Sequence, residues 1–296
     1  MPRDWCPFCP GSGKVPDEYS VHLYPNDFAA FSPEDAVFDN TQASLYGVTG
    51  ARGACDVVLY SPQHTQTPAA MAVEQWLEIV RLWTLRTEEL LRTEGIAYVA
   101  VFENQGEAIG VTMPHPHGQI YALPVVPPYV RQEIDSALEY YQRTGGGCLH
   151  CKVVEEEVRL RERVVCENDD FVAFVPFYGR YPSEVHLYSR RHLGRLAEMT
   201  AHEQSSLAAL LSELRRKYDG LYGFPMPLMM ALRQRPADGS EGAGTGYNHF
   251  HIQFLPIQRS ATKIKYLASL ESAYGTFLND TKAEDQAARL RAVETT

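Results

Sequence analysis

The chain has 296 residues, 45% hydrophobic and 22% charged, enough to bury a large core as one big domain or two of ordinary size. Its formal net charge of -10 argues against a nucleic-acid surface, which needs clustered Lys and Arg, but leaves room for a pocket holding one small phosphorylated ligand. No apolar run approaches the roughly 20 residues of a membrane span, and the start, Met1 to Cys6, lacks the apolar core of a signal peptide, so a cytoplasmic protein is expected.

In chain order, Cys6-Pro7-Phe8-Cys9-Pro10-Gly11 opens as a CxxC pair running into proline and glycine, which suits a zinc knuckle better than a redox site at a helix start. Residues 21–31 read as a strand, a turn at Asn26-Asp27 and a second strand. Residues 56–64 read as a strand ending in His64. Thr67-Pro68 is a helix start, and Met71, Trp76, Ile79, Val80, Trp83 and Leu90 give the apolar face of a long helix ending near Gly95. A strand over 96–102 leads into a loop with glycines at 106 and 110, then His115-Pro116-His117-Gly118-Gln119 and an alternating apolar run. The two imidazoles are expected to project to opposite sides of that strand start, one for a metal and one for a phosphate. A helix over 129–143 stops at Gly145-Gly146-Gly147.

The pattern then restarts. Cys148-Leu149-His150-Cys151 answers the first CxxC, and Asn168-Asp169-Asp170-Phe171 answers Asn26-Asp27-Phe28. Leu187-Tyr188-Ser189 with His192 answers Leu59-Tyr60-Ser61 with His64. A second long helix over 200–218, a strand over 227–233 and a glycine-rich loop over 239–246 follow. His249-Phe250-His251-Ile252-Gln253 then answers 115–119, and two helices, 260–278 and 282–293, close the chain. Five landmarks in one order make the chain two copies of a single α+β unit, 1–145 and 146–296.

The repeat supplies the same four donors twice: Cys6, Cys9, His64 and His115, then Cys148, Cys151, His192 and His249. Cys₂His₂ is a closed tetrahedral shell, so two structural zincs are expected. The plainer alternative is buried thiols beside hydrogen-bonded histidines.

The block Phe102-Glu103-Asn104-Gln105-Gly106 through Gly110, Thr112 and His115-Pro116-His117-Gly118-Gln119 resembles the active-site motif of the galactose-1-phosphate uridylyltransferases, in the histidine-triad superfamily. Asn26 to Ala30, Ala51-Arg52-Gly53, Ser61-Pro62 with His64, Arg259 to Thr262 and Ala287 to Val293 match the same family, so the resemblance spans nearly the whole chain. It implies antiparallel sheets with helices on one side, joined into one layer. It also implies transfer of a nucleoside monophosphate, UMP by preference, from a nucleotide sugar to a hexose 1-phosphate through nucleotidyl-His117.

Carried over, Gln119 bonds the phosphoryl group, and Asn104, Gly110, Val111 and Thr112 line the phosphate site. Tyr24, Asn26 and Asp27 contact the nucleoside, and Lys265, Tyr266 and Glu271 the hexose. The family's sites are often completed across a homodimer. The second zinc set resembles that of nucleotide-sugar phosphorylases of the ADP-glucose type, which use inorganic phosphate; a nucleotide-binding or hydrolysing histidine-triad protein is the further alternative. The second copy, lacking the Asn-x-Gly loop, is expected to be catalytically silent.

Overall fold

The computed structural model of the chain describes residues 2–34, 45–46, 49–237 and 246–295. One nine-stranded sheet runs through it in the order β1-β2-β4-β3-β8-β9-β7-β6-β5. The strands are β1 (His22–Pro25), β2 (Ala54–Leu59), β3 (Tyr98–Gln105), β4 (His117–Leu123), β5 (Val164–Glu167), β6 (Phe171–Phe174), β7 (Val185–Ser189), β8 (Leu228–Arg233) and β9 (His251–Pro256). Every pairing is antiparallel. The two copies join where β3 meets β8, with Phe102 opposite Ala231 and Gln105 opposite Leu228.

One face of the sheet carries the main core. Helix α1 (Val73–Leu91) buries Trp76, Ile79, Val80, Trp83 and Leu90 at three- and four-residue spacing. Helix α4 (Ala201–Tyr222) starts at a Thr200–Glu203 capping box and buries Leu207, Leu210, Leu211, Leu214 and Tyr218. These two stripes meet Val58, Val99, Val101, Ile120, Phe171, Leu187, Leu228 and Ile252 in one continuous cluster, so both copies share a core.

The other face divides. At the seam it is covered by α2 (Pro128–Thr144), whose Val130, Ile134 and Ala137 pack on Tyr98 of β3 and on Tyr247. Next to it α3 (Leu149–Leu160) packs Val154 on Val172, Phe174 and Tyr188. Helices therefore lie on both faces, not on one. Over β1 and β2 of the N-terminal copy that face carries the knuckle, in which Cys6, Phe8, Cys9, Val15 and Tyr24 pack on Val57 and Leu59.

Two expected elements differ. Residues 28–31 form no strand: the Asn26 side chain accepts from the Phe28 amide at 2.9 Å, Phe28 is 91% exposed, and the chain returns to the sheet through the Phe31 ring, 6.5 Å from that of Tyr121, and the Ser32–Arg52 bridge. With Phe28, Ala29 and Ala30 all exposed, the segment has no alternating buried face to hold it in a ladder. The tail helix expected over 260–278 is instead a hairpin of β10 (Gln258–Ser260) and β11 (Lys263–Ile264) followed by a short α5 (Ser269–Tyr274). Lys265 turns inward to Glu271 at 3.2 Å, and Gly275 at φ 66° ends α5. The last helix, α6, spans Ala283–Arg291. Most of the glycine-rich loop over 239–246 lies outside the described residues.

Candidate active site and metal centres

Residues 59–61 cradle the His-Pro-His-Gly-Gln run. Leu59 pairs with His117, the Tyr60 amide donates to the Pro116 carbonyl at 3.0 Å, and the Ser61 carbonyl accepts from His115 Nε2 at 2.7 Å. A carbonyl only accepts, so the His115 proton sits on Nε2 and Nδ1 is left with its lone pair. That nitrogen faces Cys6 Sγ and Cys9 Sγ, each at 3.7 Å. His115 and His117 do not diverge: the Phe8 ring lies 6.0 Å from both imidazoles, because residues two apart in an extended chain share a face.

His117 Nδ1 donates to the His115 carbonyl at 2.8 Å, which leaves Nε2 as the unprotonated nitrogen of a neutral ring. It opens on a cavity of about 600 Å³ whose lining includes Asn104, Gly110, Val111, Thr112 and Pro225, and on a smaller one of about 180 Å³ between Asn104, Ile109–Met113 and Gln119. Gly106 (φ 95°) and Gly110 (φ 88°), in backbone that side chains rarely adopt, bracket a short 3₁₀ turn in the loop that lines the cavity. Sequence reasoning missed Phe8, Met113 and Pro225 here, since nothing in an isolated apolar residue signals proximity to a site.

Gly118 points to the opposite face, where an added Cβ would lie 2.1 Å from the Tyr60 hydroxyl. Gly118→Ala is therefore expected to destabilise the fold by about 1–3 kcal/mol through overpacking, read by urea denaturation. An unchanged midpoint would contradict the packing described.

Among the other site candidates, Tyr24 donates to both Asp27 oxygens at 2.9–3.0 Å, and Lys14 reaches Asp27 at 3.5 Å. Asn26 Nδ2 donates to Tyr121 at 3.3 Å. These residues sit beside the knuckle, with the Phe8 ring 5.4 Å from Tyr24. Lys265 and Glu271 are buried and paired with each other, Tyr266 is exposed, and none of the three lines the cavities at His117.

Three groups of described residues could hold a metal ion, each with its donor atoms within 4.8 Å of one another: the Cys₂His₂ clusters Cys6, Cys9, His64 and His115, then Cys148, Cys151, His192 and His249, and the smaller set Glu133, His150 and His251. Tetrahedral zinc, with bonds of about 2.0–2.3 Å, sets sulfur-to-nitrogen separations of roughly 3.5 Å. The separations here are 3.4–3.7 Å in the first cluster and 3.3–4.0 Å in the second. His249 repeats the tautomer lock, with Nε2 on the Ser189 carbonyl at 2.8 Å. Burial, then Cys6, pushes the Cys9 thiol up to about 11, and a divalent cation is the partner that makes thiolates of such a pair. The donor sets fit zinc.

The second copy of the motif is enclosed. His251 is 1% exposed, stacked on Tyr188 at 4.4 Å and on His150 at 5.4 Å, with Glu133 at 3.2 Å from Nε2. Helices α2 and α3 lie where the first copy has open space. His150 is also buried, and burial pushes its pKa down to about 4. It is neutral when folded and takes up a proton near 6.5 when unfolded. Its contribution of up to about 3 kcal/mol is thus present above pH 6.5 and lost as pH falls toward 4. Denaturant midpoints measured across that window are expected to fall with pH, and less steeply in His150→Phe; equal slopes would contradict this.

A duplicated antiparallel α+β unit, with a His-x-His-x-Gln strand start under a glycine loop, is the class of protein that this fold and site define. Family models described as the N-terminal and C-terminal domains of galactose-1-phosphate uridyl transferase match residues 2–127 and 133–296. The galactose-1-phosphate uridylyltransferase of Thermotoga maritima is 34% identical over 289 residues, 98% of this chain and 89% of that one. That of Saccharomyces cerevisiae is 32% identical over 307 residues, 98% and 83% of the two chains. A solved uridylyltransferase superposes with TM-score 0.90 at 36% identity, covering 99% and 92%. An ADP-glucose phosphorylase from Arabidopsis thaliana, with bound ADP-glucose, does so with TM-score 0.82 at 25% identity, again covering 99% and 92%. The chain belongs to the galactose-1-phosphate uridylyltransferase family, and it is an enzyme of nucleotidyl transfer. No helix among its described residues is long and apolar enough to cross a membrane.

Proposed function

We propose that the enzyme moves UMP from UDP-glucose to galactose 1-phosphate in two displacements at His117. The observation that carries this reading is the bond from His117 Nδ1 to the His115 carbonyl, which aims an unprotonated Nε2 into the cavity. In the first step Nε2 attacks the α-phosphorus, the bond from phosphorus to the sugar-phosphate oxygen breaks, and glucose 1-phosphate leaves with that electron pair. In the second, a phosphate oxygen of galactose 1-phosphate attacks the same phosphorus and the P–N bond breaks, returning His117 to its neutral state. The His115 carbonyl steadies the charge on the ring while it carries the nucleotide. Asn104, the Gly110–Thr112 backbone and Gln119 bond the phosphoryl oxygens, so catalysis is mainly positioning and charge stabilisation. Tyr24, Asn26 and Asp27 hold the nucleoside.

Both Cys₂His₂ clusters hold zinc in this reading, and bound zinc fixes the fold of each knuckle rather than taking part in chemistry. His115 couples the first to the site, since its ring is a ligand and its carbonyl orients His117. We take the units to meet near Gly145. Lys265, Tyr266 and Glu271, remote from these cavities, serve the hexose across a homodimer, and the enzyme works in the cytoplasm.

A second reading, a phosphorylase with inorganic phosphate as acceptor, is favoured by the second Cys₂His₂ cluster and by the likeness to the ADP-glucose phosphorylase. Incubating the enzyme and UDP- or ADP-glucose with galactose 1-phosphate, phosphate or buffer alone separates these. UDP-galactose is expected only in the first mixture; UDP or ADP release by phosphate supports the second reading, and nucleoside monophosphate release in buffer a hydrolase.

A further inference from the structure

On the sheet face opposite His117 lies a buried ion pair that no step of the transfer uses. Glu103 of β3 is 2% exposed and Arg215 of α4 is 1% exposed. Arg215 Nη2 donates to Glu103 Oε1 at 2.6 Å and also to Gln105 Oε1, and Gln105 donates to the Met226 carbonyl at 2.9 Å. One guanidinium from the C-terminal unit thus grips both neighbours of Asn104. Strand alternation sends Glu103 and Gln105 to its side and Asn104 to the phosphate side. Tyr60 closes the set. It is fully buried, and burial first and the Glu103 charge second hold it neutral. Its hydroxyl sits directly beneath Gly118, next to His117.

Ion pairs buried this deeply contribute little net stability, because desolvation offsets the attraction; fixing one geometry is their better-supported use. We propose that Arg215 is a positioning residue for nucleotidyl transfer, through which the catalytically silent unit aligns Asn104 and the His117 strand. This rests on the reading of His117 as nucleophile.

The test is the single-turnover rate at which UDP-glucose labels the full-length enzyme, with Arg215→Lys, Arg215→Met/Glu103→Gln and His117→Ala compared with the parent. The double variant removes both charges, so no lone carboxylate is left buried. It is expected to keep its metal content and to label about 100-fold more slowly, the effect of a displacement of about 1 Å, with KM nearly unchanged. Arg215→Lys keeps the charge but loses the planar guanidinium whose Nη2 is held at the one point that reaches both Glu103 and Gln105, and is expected to fall about tenfold. Labelling at the parent rate in the double variant overturns the proposal, as does a loss confined to KM. If the double variant does not fold, the parent rate in Arg215→Lys overturns it instead. Labelling that survives in His117→Ala would refute the nucleophile itself, so the two failures are distinguishable.

Discussion

With His117 replaced by alanine, turnover is expected to drop by at least about 10⁴-fold, the scale on which removal of a covalent nucleophile is felt. Metal content and stability should hardly move. Among the described residues, the His117 side chain donates to the His115 carbonyl and lies beside the Phe8 ring on the cavity wall, so little packing is lost with it. Its twin makes the contrast instructive: His251 has the same bond to the His249 carbonyl, at 3.0 Å, but is sealed under α2 and α3. His251→Ala should therefore lower stability through a cavity and leave the labelling chemistry in place. Steady-state transfer assays and thermal melts of the two variants check both halves of this expectation. A His117→Ala enzyme within about tenfold of the parent rate would contradict it.

The second large effect is expected at Cys6. It is 3% exposed, Cys9 is 5% and His115 is 1%, and the small cluster of Phe8, Val15, Tyr24, Val57 and Leu59 packs around them. Cys6→Ser replaces a soft thiolate by a poor ligand. The variant should lose about one metal equivalent and about 4 kcal/mol or more of stability, where loss of a structural metal falls. Transfer should fall as well, since the carbonyl that orients His117 belongs to His115. Cys148→Ser should lose the other metal equivalent with a smaller effect on transfer, because the histidine behind that cluster is His251. Metal analysis, denaturant titration and labelling rates on the same preparations decide this. Full metal content with an unchanged midpoint in Cys6→Ser would contradict it.

Much of this site is legible in the residues themselves. Two CxxC pairs and two His-x-His-x-Gln runs, in one order, mark the duplication and pair each thiol set with its histidines, because donor chemistry and repeat order do not depend on loop geometry. The long helices are equally plain from Trp76 to Leu90 and from Thr200 to Tyr218 by apolar spacing, although the expected start at Thr67-Pro68 is a separate 3₁₀ turn (Pro68–Ala70) and the first long helix begins at Val73 without a side-chain cap. Helix α3 is not. Its N-cap is Cys148, whose sulfur accepts from the Cys151 amide at 3.5 Å where a Ser or Asp would be expected, and its C-cap is Arg161 in the left-handed region at φ 59° where glycine is usual. That same helix covers His251, so the physical reason for a closed second site was hidden with it. The Lys265–Glu271 pair is illegible for a different reason. A short hairpin and a one-turn helix have no periodicity, and an inward lysine looks like any other in sequence.

The claim on which everything turns is that His117 carries the nucleotide. Intact-mass measurement and peptide mapping after incubation with UDP-glucose alone, at neutral or mildly alkaline pH where a phosphorus–nitrogen bond to imidazole persists, test it directly. The expected result is a gain of one uridylyl group per chain, mapped to His117 and removed on adding galactose 1-phosphate with formation of UDP-galactose. An unmodified chain that nonetheless completes the transfer when both substrates are present, or an adduct mapped to another residue, would contradict it.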